Sequence, residues 1–261
     1  MKPTIAGNGT VEVSENHKMA LHLDRQEKGY GLAQLDDYHD LARSDFLWSP
    51  PLHLSLIAQA SSNNPKGTLG FGFWNDPFSV VMGQSGAKRR LPVSPQALWF
   101  FYGSPPNDIA LAAPVPGHGW KAAVLRAPSI PTLLLAPAAL VAIITAQLPI
   151  IRRPVMKTAI ATVQADETLI EKDLAQSHRY ELEWESERVR FAVDEEQLLE
   201  STITPRAPLG FVAWIDNQYA VASPEGGFKF GVIPTPEAQA LHISEIEING
   251  SPLVIGDVNH A

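Results

Sequence analysis

No cysteine occurs in the 261 residues. Its absence removes disulfides, thiolate metal sites and cysteine nucleophiles together, and leaves the redox compartment open. Positive charge is scarce as well. Twenty Lys and Arg stand against 28 Asp and Glu, a net charge of −8, and the longest basic cluster is Lys88-Arg89-Arg90. Phosphates would be repelled rather than neutralised, so a nucleic-acid partner is not expected. The first residues, Met-Lys-Pro-Thr-Ile-Ala-Gly-Asn-Gly-Thr, hold no apolar stretch of the secretory kind, and a cytoplasmic protein is the plain expectation. Catalytic signatures are missing too. There is no Gly-x-Ser-x-Gly elbow, no phosphate loop and no Gly-x-Gly-x-x-Gly opening a helix, because Gly70-Phe71-Gly72 runs on to Trp74. His17, His22, His39, His53, His118, His178, His242 and His260 are scattered without zinc-ligand spacing.

What is present is β patterning. Residues 178–199 alternate apolar and polar twice around a short charged turn. Tyr180, Leu182 and Trp184 share one face, and Val189, Phe191 and Val193 repeat the pattern on the return. Two antiparallel strands with one buried face account for it. The charges opposite, Glu181, Glu183, Arg188 and Arg190, form a solvated face with cross-strand pairs. Further strands are predicted at 18–24, 52–60, 67–74, 95–102, 109–112, 119–125, 157–165, 208–215, 219–222 and 241–248, with a short amphipathic helix at 168–176. The 22 prolines and 18 glycines fit the many turns of such a chain. No repeat and no linker is evident, so residues 1–261 are read as one all-β domain.

Two stretches depart from plain strand chemistry. Gly70 and Gly72 sit at alternate positions of a predicted strand, which marks either a bulge or a place where something approaches the backbone closely. Residues 132–151 run without a charge and end at Arg152-Arg153. About 20 apolar residues can span a bilayer. Strands of one domain on both sides argue against a span, since a shared core cannot straddle a membrane. The segment, with flanks at 129–154, is expected to be an inserted apolar helix, buried or covering a groove. Contact with a membrane surface or with a second copy is the alternative use.

The hairpin, together with the segments C-terminal to it, resembles the laminarinase-type, family 16 glycoside hydrolases of the concanavalin A-like fold. The matching residues are His178, Tyr180 and Trp184, then Val189, Phe191, Val193 and Asp194, then Pro208 and Trp214, and the closing Leu-His-Ile-Ser-Glu-Ile-Glu-Ile strand. The resemblance covers roughly residues 155–250. It implies a two-sheet antiparallel β-sandwich, a jelly roll, with ligand bound on a concave face and the last strand returning to a sheet edge. A structural calcium ion is also common among such relatives, and the sequence assigns it no ligands; no other cofactor is expected. The family's Glu-x-Asp-x-x-Glu is absent. Retaining hydrolysis needs two carboxylates about 5–5.5 Å apart on one strand face. The strand aligned with that motif, Leu98-Trp99-Phe100-Phe101-Tyr102, is aromatic. Asp36, Asp37 and Asp40 have the spacing of a loop.

No catalytic residue is therefore assigned, and glycoside hydrolysis by paired carboxylates is disfavoured. The candidate ligand-binding set is Trp74, Asn75 and Asp76 at one strand end, Trp99 on a second strand, Trp214 and Asp216 at the end of a third, and His118 and Trp120 from a neighbouring turn. Indoles stack on sugar C–H faces while Asn and Asp bond hydroxyls. The favoured expectation is a non-catalytic, lectin-like module for a carbohydrate or other small ligand. The alternative is a divergent enzyme acting on an apolar small molecule beneath residues 132–151.

Overall fold

The structure, a computed structural model, describes residues 1–14, 18–77, 90–110, 112, 114–129, 162–223 and 227–252. Its strands, numbered in chain order, form two large antiparallel sheets. The first runs β1 (Lys2–Ala6), β4 (Leu32–Asp36), β13 (Gly210–Asp216), β6 (Thr68–Trp74), β7 (Gln96–Gly103), β8 (Gly119–Arg126) and β9 (Gln164–Leu169). The second runs β12 (Glu196–Ser201), β11 (Val189–Val193), β10 (His178–Trp184), β5 (Leu52–Ala60), β16 (Gln239–Ile248), β3 (Met19–Leu23) and β2 (Gly9–Val13), with β17 (Ser251–Pro252) paired to β16. A two-stranded ribbon, β14 (Gln218–Ser223) with β15 (Gly227–Val232), extends from the end of β13. This is the two-sheet sandwich anticipated from the hairpin.

Alternation decides which way each side chain points. Leu35, Ala213, Phe71, Phe100 and Ala122 are register partners across five strands of the first sheet, and all five are buried. They face Leu54, Leu56, Tyr180, Leu182 and Phe191 of the second sheet in one core. Edge-to-face ring pairs bridge the layers, with Phe71 to Tyr180 at 5.2 Å and Phe100 to Phe191 at 5.2 Å. Each adds about 0.5–1.5 kcal/mol beyond burial itself.

The hairpin falls where its pattern placed it, with Trp184 opposite Val189 and Tyr180 opposite Val193. Of its outward charges, Arg190 pairs across strands with Glu183 and Glu200 as expected, whereas Arg188 pairs with Glu185 within the turn. Asp194 and Glu195 both take positive φ, 50° and 66°, the backbone demanded by a two-residue turn into β12. His178 and Asp194, two residues of the family-like motif, are a staple. The imidazole Nδ1 lies 2.6 Å from one carboxylate oxygen of Asp194, whose other oxygen accepts the Arg179 N–H at 3.0 Å. Slight burial pushes the Asp194 carboxyl up, but these two contacts outweigh it and hold it below the usual carboxylate range.

Several expectations are corrected. Residues 168–176 are not a helix: β9 extends to Leu169, then the Ile170 N–H bonds the Trp120 carbonyl at 2.8 Å and the Leu174 carbonyl accepts the Ala60 N–H at 2.8 Å. Backbone groups spent on two neighbouring strands cannot close helical turns. No strand forms over 109–112 among the described residues; Asp108 makes an isolated bridge to Val221, and the Ile109 N–H turns back to the Gly117 carbonyl. Asp36, read as part of a loop, ends strand β4. The closing strand β16 lies inside its sheet, between β5 and β3, because β2 and β3 add beyond it. Strand 157–165 falls largely outside the described residues, with β9 beginning at Gln164. The apolar segment 132–151 lies outside them entirely. The described residues contain one short 3-10 helix, Arg43–Asp45, and no helix long and apolar enough to cross a membrane.

Candidate functional site

The outer face of the first sheet is built from the residues that alternate with the core row. One register row reads Gln34, Trp214, Gly70, Phe101 and Lys121, and the next reads Asp36, Val212, Gly72, Trp99 and Ala123. Trp74 lies two positions beyond Gly72 on the same face. Trp74, Trp99 and Trp214 are thus brought together, with Phe101 joining them. Trp74 and Trp214 lie nearly parallel, 7° between planes and 6.5 Å between centroids. Trp99 is 6.0 Å from Trp74 and 5.8 Å from Trp214, and Phe101 is 5.8 Å from Trp99. All four rings are half-buried.

The two glycines explain how such large rings lie flat. A Cβ on Gly70 would come within 2.3 Å of the Phe100 carbonyl oxygen and 2.8 Å of the Trp214 ring. On Gly72, whose φ is 149°, it would come within 2.5 Å of the Leu98 carbonyl oxygen and 2.6 Å of the Trp99 Cα. The glycine signal is therefore a close approach of backbone and indole, not a bulge.

Hydrogen bonds fix the rings. The Trp214 indole N–H donates to Thr68 Oγ1 at 2.9 Å, and that hydroxyl donates to Asp216 Oδ1 at 2.7 Å. The Trp74 N–H donates to the Tyr38 hydroxyl at 2.5 Å. Tyr38 in turn packs over Gly210, where no Cβ would fit. Burial, with the charges of Asp36 and Asp76, pushes the Tyr38 hydroxyl well above its ordinary range, so it stays protonated.

The remaining candidates are placed differently. Asp76 is buried in an ion pair with Arg90, 2.7 Å, and Arg90 also donates to the carbonyls of Tyr38, His39 and Leu41. Its guanidinium lies 5.4 Å from the Tyr38 ring centroid and 5.2 Å from that of Phe46. Asp76 and Arg90 thus latch the segment after β4 onto the end of β6. Asn75 is a backbone tie, accepting the Gln96 N–H and donating to the Ser94 carbonyl. Trp120 belongs to the core. His118 borders a groove of about 420 Å³ at the loop end of the sandwich, with Asn64, Tyr102 and Lys172. On the far side of the aromatic face, Lys121 is 2% exposed and spends its ammonium on Glu167 at 2.8 Å and on the carbonyls of Ile109 and Pro116. No cluster of His, Asp and Glu suited to a metal ion occurs among the described residues.

Sequence reasoning missed Phe101, Tyr38, Thr68, Gln34 and Asp36. Phe101 was within reach, two residues from Trp99 on an alternating strand. Asp36 was hidden because Asp36, Asp37 and Asp40 cluster in a manner typical of turns.

Two carboxyls carry a pH signature. Burial pushes Asp216 up to about 6 against the bonds from Thr68 and Gln218. It also pushes Asp37 up to about 6 against bonds from the Trp48 indole and the Phe211 N–H. A folded-state value above the unfolded one means the native chain binds more protons in between, so this stability is full below about pH 4 and falls as pH rises through about 6. A rise of about two units in a fully buried group is worth about 3 kcal/mol. Asp216→Asn should therefore gain stability relative to the parent as pH climbs from about 4 to about 6.5. Thermal unfolding across that range would show a constant difference if the assignment were wrong.

No protein-family model matches the sequence, and no curated protein matches it. Among solved structures, the chain is similar to the immunostimulatory antigen and pseudo β-1,3-glucanase of Mycobacterium tuberculosis, at 12% identity and a TM-score of 0.48, covering 92% of this chain and 78% of that one. It is similar also to a glycoside hydrolase family 16 endo-glucanase from Bacteroides ovatus, at 11% identity and 0.46, covering 93% and 86%. A third is a putative β-glucanase from Mycobacterium abscessus, at 8% and 0.45, covering 89% and 77%. The protein is a two-sheet antiparallel β-sandwich. These likenesses concern the fold alone.

Proposed function

We propose that the outer face of the seven-stranded sheet binds a carbohydrate without acting on it chemically. The observation that carries this reading is the joining of Trp74, Trp99, Trp214 and Phe101 into one half-exposed layer. Two of the three indole N–H groups are already engaged by Tyr38 and Thr68. What those rings offer is carbon surface held in a fixed orientation, suited to the C–H face of a pyranose ring.

Carboxylates support the absence of chemistry. Asp36, Asp216 and Glu167 lie on three different strands, and Asp76 and Glu167 are matched to Arg90 and Lys121. A retaining glycosidase needs an acid and a nucleophile facing one bond. The alternative of chemistry on an apolar molecule rests on residues 132–151, outside the described residues.

Titration calorimetry against a panel of oligosaccharides tests the proposal. Removing a central tryptophan from a binding surface commonly costs about 2 kcal/mol or more. Trp214→Ala is expected to weaken the best-bound glycan about 30-fold. Silence across the whole panel, or the same affinity in the variant, would overturn it.

A further inference from the structure

At one end of the sandwich the two sheets leave an opening that the indole layer does not use. Tyr102 and Trp120 are register partners on β7 and β8, and both belong to the core side of the sheet. With Ile170 and Leu174, likewise buried, they floor the groove of about 420 Å³, while Asn64, His118, Lys172 and Asp173 stand at its rim. Its frame is tied to both sheets. The Ile170 N–H bonds the Trp120 carbonyl of the first sheet, and the Leu174 carbonyl accepts the Ala60 N–H of the second, each at 2.8 Å. Asn63 Oδ1 adds a bond from the Ala175 N–H at 3.1 Å. The walls are therefore set before any ligand arrives, and an apolar floor under a few polar groups is the usual make-up of a small-molecule site of this size.

The polar groups around the groove narrow the class of ligand. Lys172 and Asp173 are the two lining residues of full charge, and their signs oppose. Lys172 spends its ammonium on Glu196 at 2.7 Å. Asp173 Oδ1 accepts the Ala175 N–H at 2.9 Å, and its Oδ2 accepts the Gln176 side-chain amide at 3.1 Å. An anion would thus meet Asp173 with no ammonium left to receive it, and a cation would meet Lys172. The Tyr102 hydroxyl and the Asn64 amide make no hydrogen bond to a described residue. Unlike the buried, unpartnered atoms of the core, that hydroxyl keeps contact with solvent, and the groove is where Tyr102 is open. Burial raises its pKa, so it is a donor at neutral pH. We propose that this groove is a second binding site, taking a neutral molecule with a flat apolar body and a carbonyl acceptor, of the aryl-amide kind. The body rests on Trp120, Ile170 and Leu174, the Tyr102 hydroxyl donates to the carbonyl, and Asn64 meets the amide. The inference stands apart from the carbohydrate reading, which concerns the opposite face of the sheet.

The test titrates the full chain by NMR with three probes of similar size, acetanilide, phenylacetate and phenethylammonium. Working at about pH 8 keeps an ordinary imidazole such as that of His118 neutral. The parent should bind acetanilide at least about 10-fold more tightly than either ion, with the Trp120 indole signal shifting. Tyr102→Phe keeps the ring and should weaken acetanilide about 5-fold, the weight of one neutral hydrogen bond. Trp214→Ala, altered on the other face, should bind acetanilide as the parent does. Equal binding of the three probes, preference for either ion, or no binding at all would overturn the inference even if the Phe variant failed to fold. So would unchanged affinity in Tyr102→Phe. Loss in Trp214→Ala would overturn it as well, by moving the probe to the indole layer.

Discussion

Lys121→Met is expected to destabilise the protein by about 3–5 kcal/mol, because it removes the ammonium that pairs with the buried Glu167 carboxylate. Lys121 sits on the face of β8 that continues the aromatic rows, yet it is buried and its ammonium reaches three acceptors. Two of these, the carbonyls of Ile109 and Pro116, belong to the connection between β7 and β8, and Glu167 also accepts the Ala112 N–H. One ion pair therefore pins that connection to β8 and β9. Urea unfolding measures the loss. Adding Glu167→Leu to Lys121→Met should recover much of it, since an apolar pair of similar volume can replace a buried ion pair at little net cost. An additive double variant would mean that the charges do not act as a pair.

Arg90→Met is the second large effect, again about 3–5 kcal/mol from loss of the guanidinium that pairs with the buried Asp76, and it should reach the candidate face as well. Arg90 joins Asp76 to the carbonyls of Tyr38, His39 and Leu41. Arg43 adds bonds from the same segment to the carbonyls of Asn75, Asp76 and Leu91. Releasing the segment frees Tyr38, and with it the anchor of the Trp74 indole. The expected result is a lower midpoint in urea together with weakened glycan binding at a temperature where the variant is still folded. A variant that loses stability but binds its glycan as the parent does would break the link between the latch and the aromatic layer.

Much of the fold could be read in advance because alternation and burial coincide. Tyr180, Leu182 and Trp184 have little freedom once their neighbours are charged, whereas 67–74 and 208–215 were marked by aromatic and apolar residues although both of their faces are covered. Two of the strands that escaped prediction, β4 and β12, lack a clear contrast between their faces. In β4 all five residues are buried, so the period-two contrast vanishes. β12 carries charge at an edge, where nothing enforces apolar residues. That Trp74 shares a strand face with Gly70 and Gly72, and Trp214 with Gly210 and Asp216, was legible from alternation alone. Asp76 and Trp120 were not, because an acid beside a tryptophan looks alike whether it meets a ligand or an arginine 14 positions away. Only the fold brings Arg90 to Asp76.

The glycine floor also restricts how this surface can diversify. No side chain larger than hydrogen fits at positions 70 and 72 without displacing the neighbouring backbone, so drift at those two codons is closed. Descendants that change their ligand must do so by exchanging the rings above or the polar groups at the margin, on a foundation that stays the same.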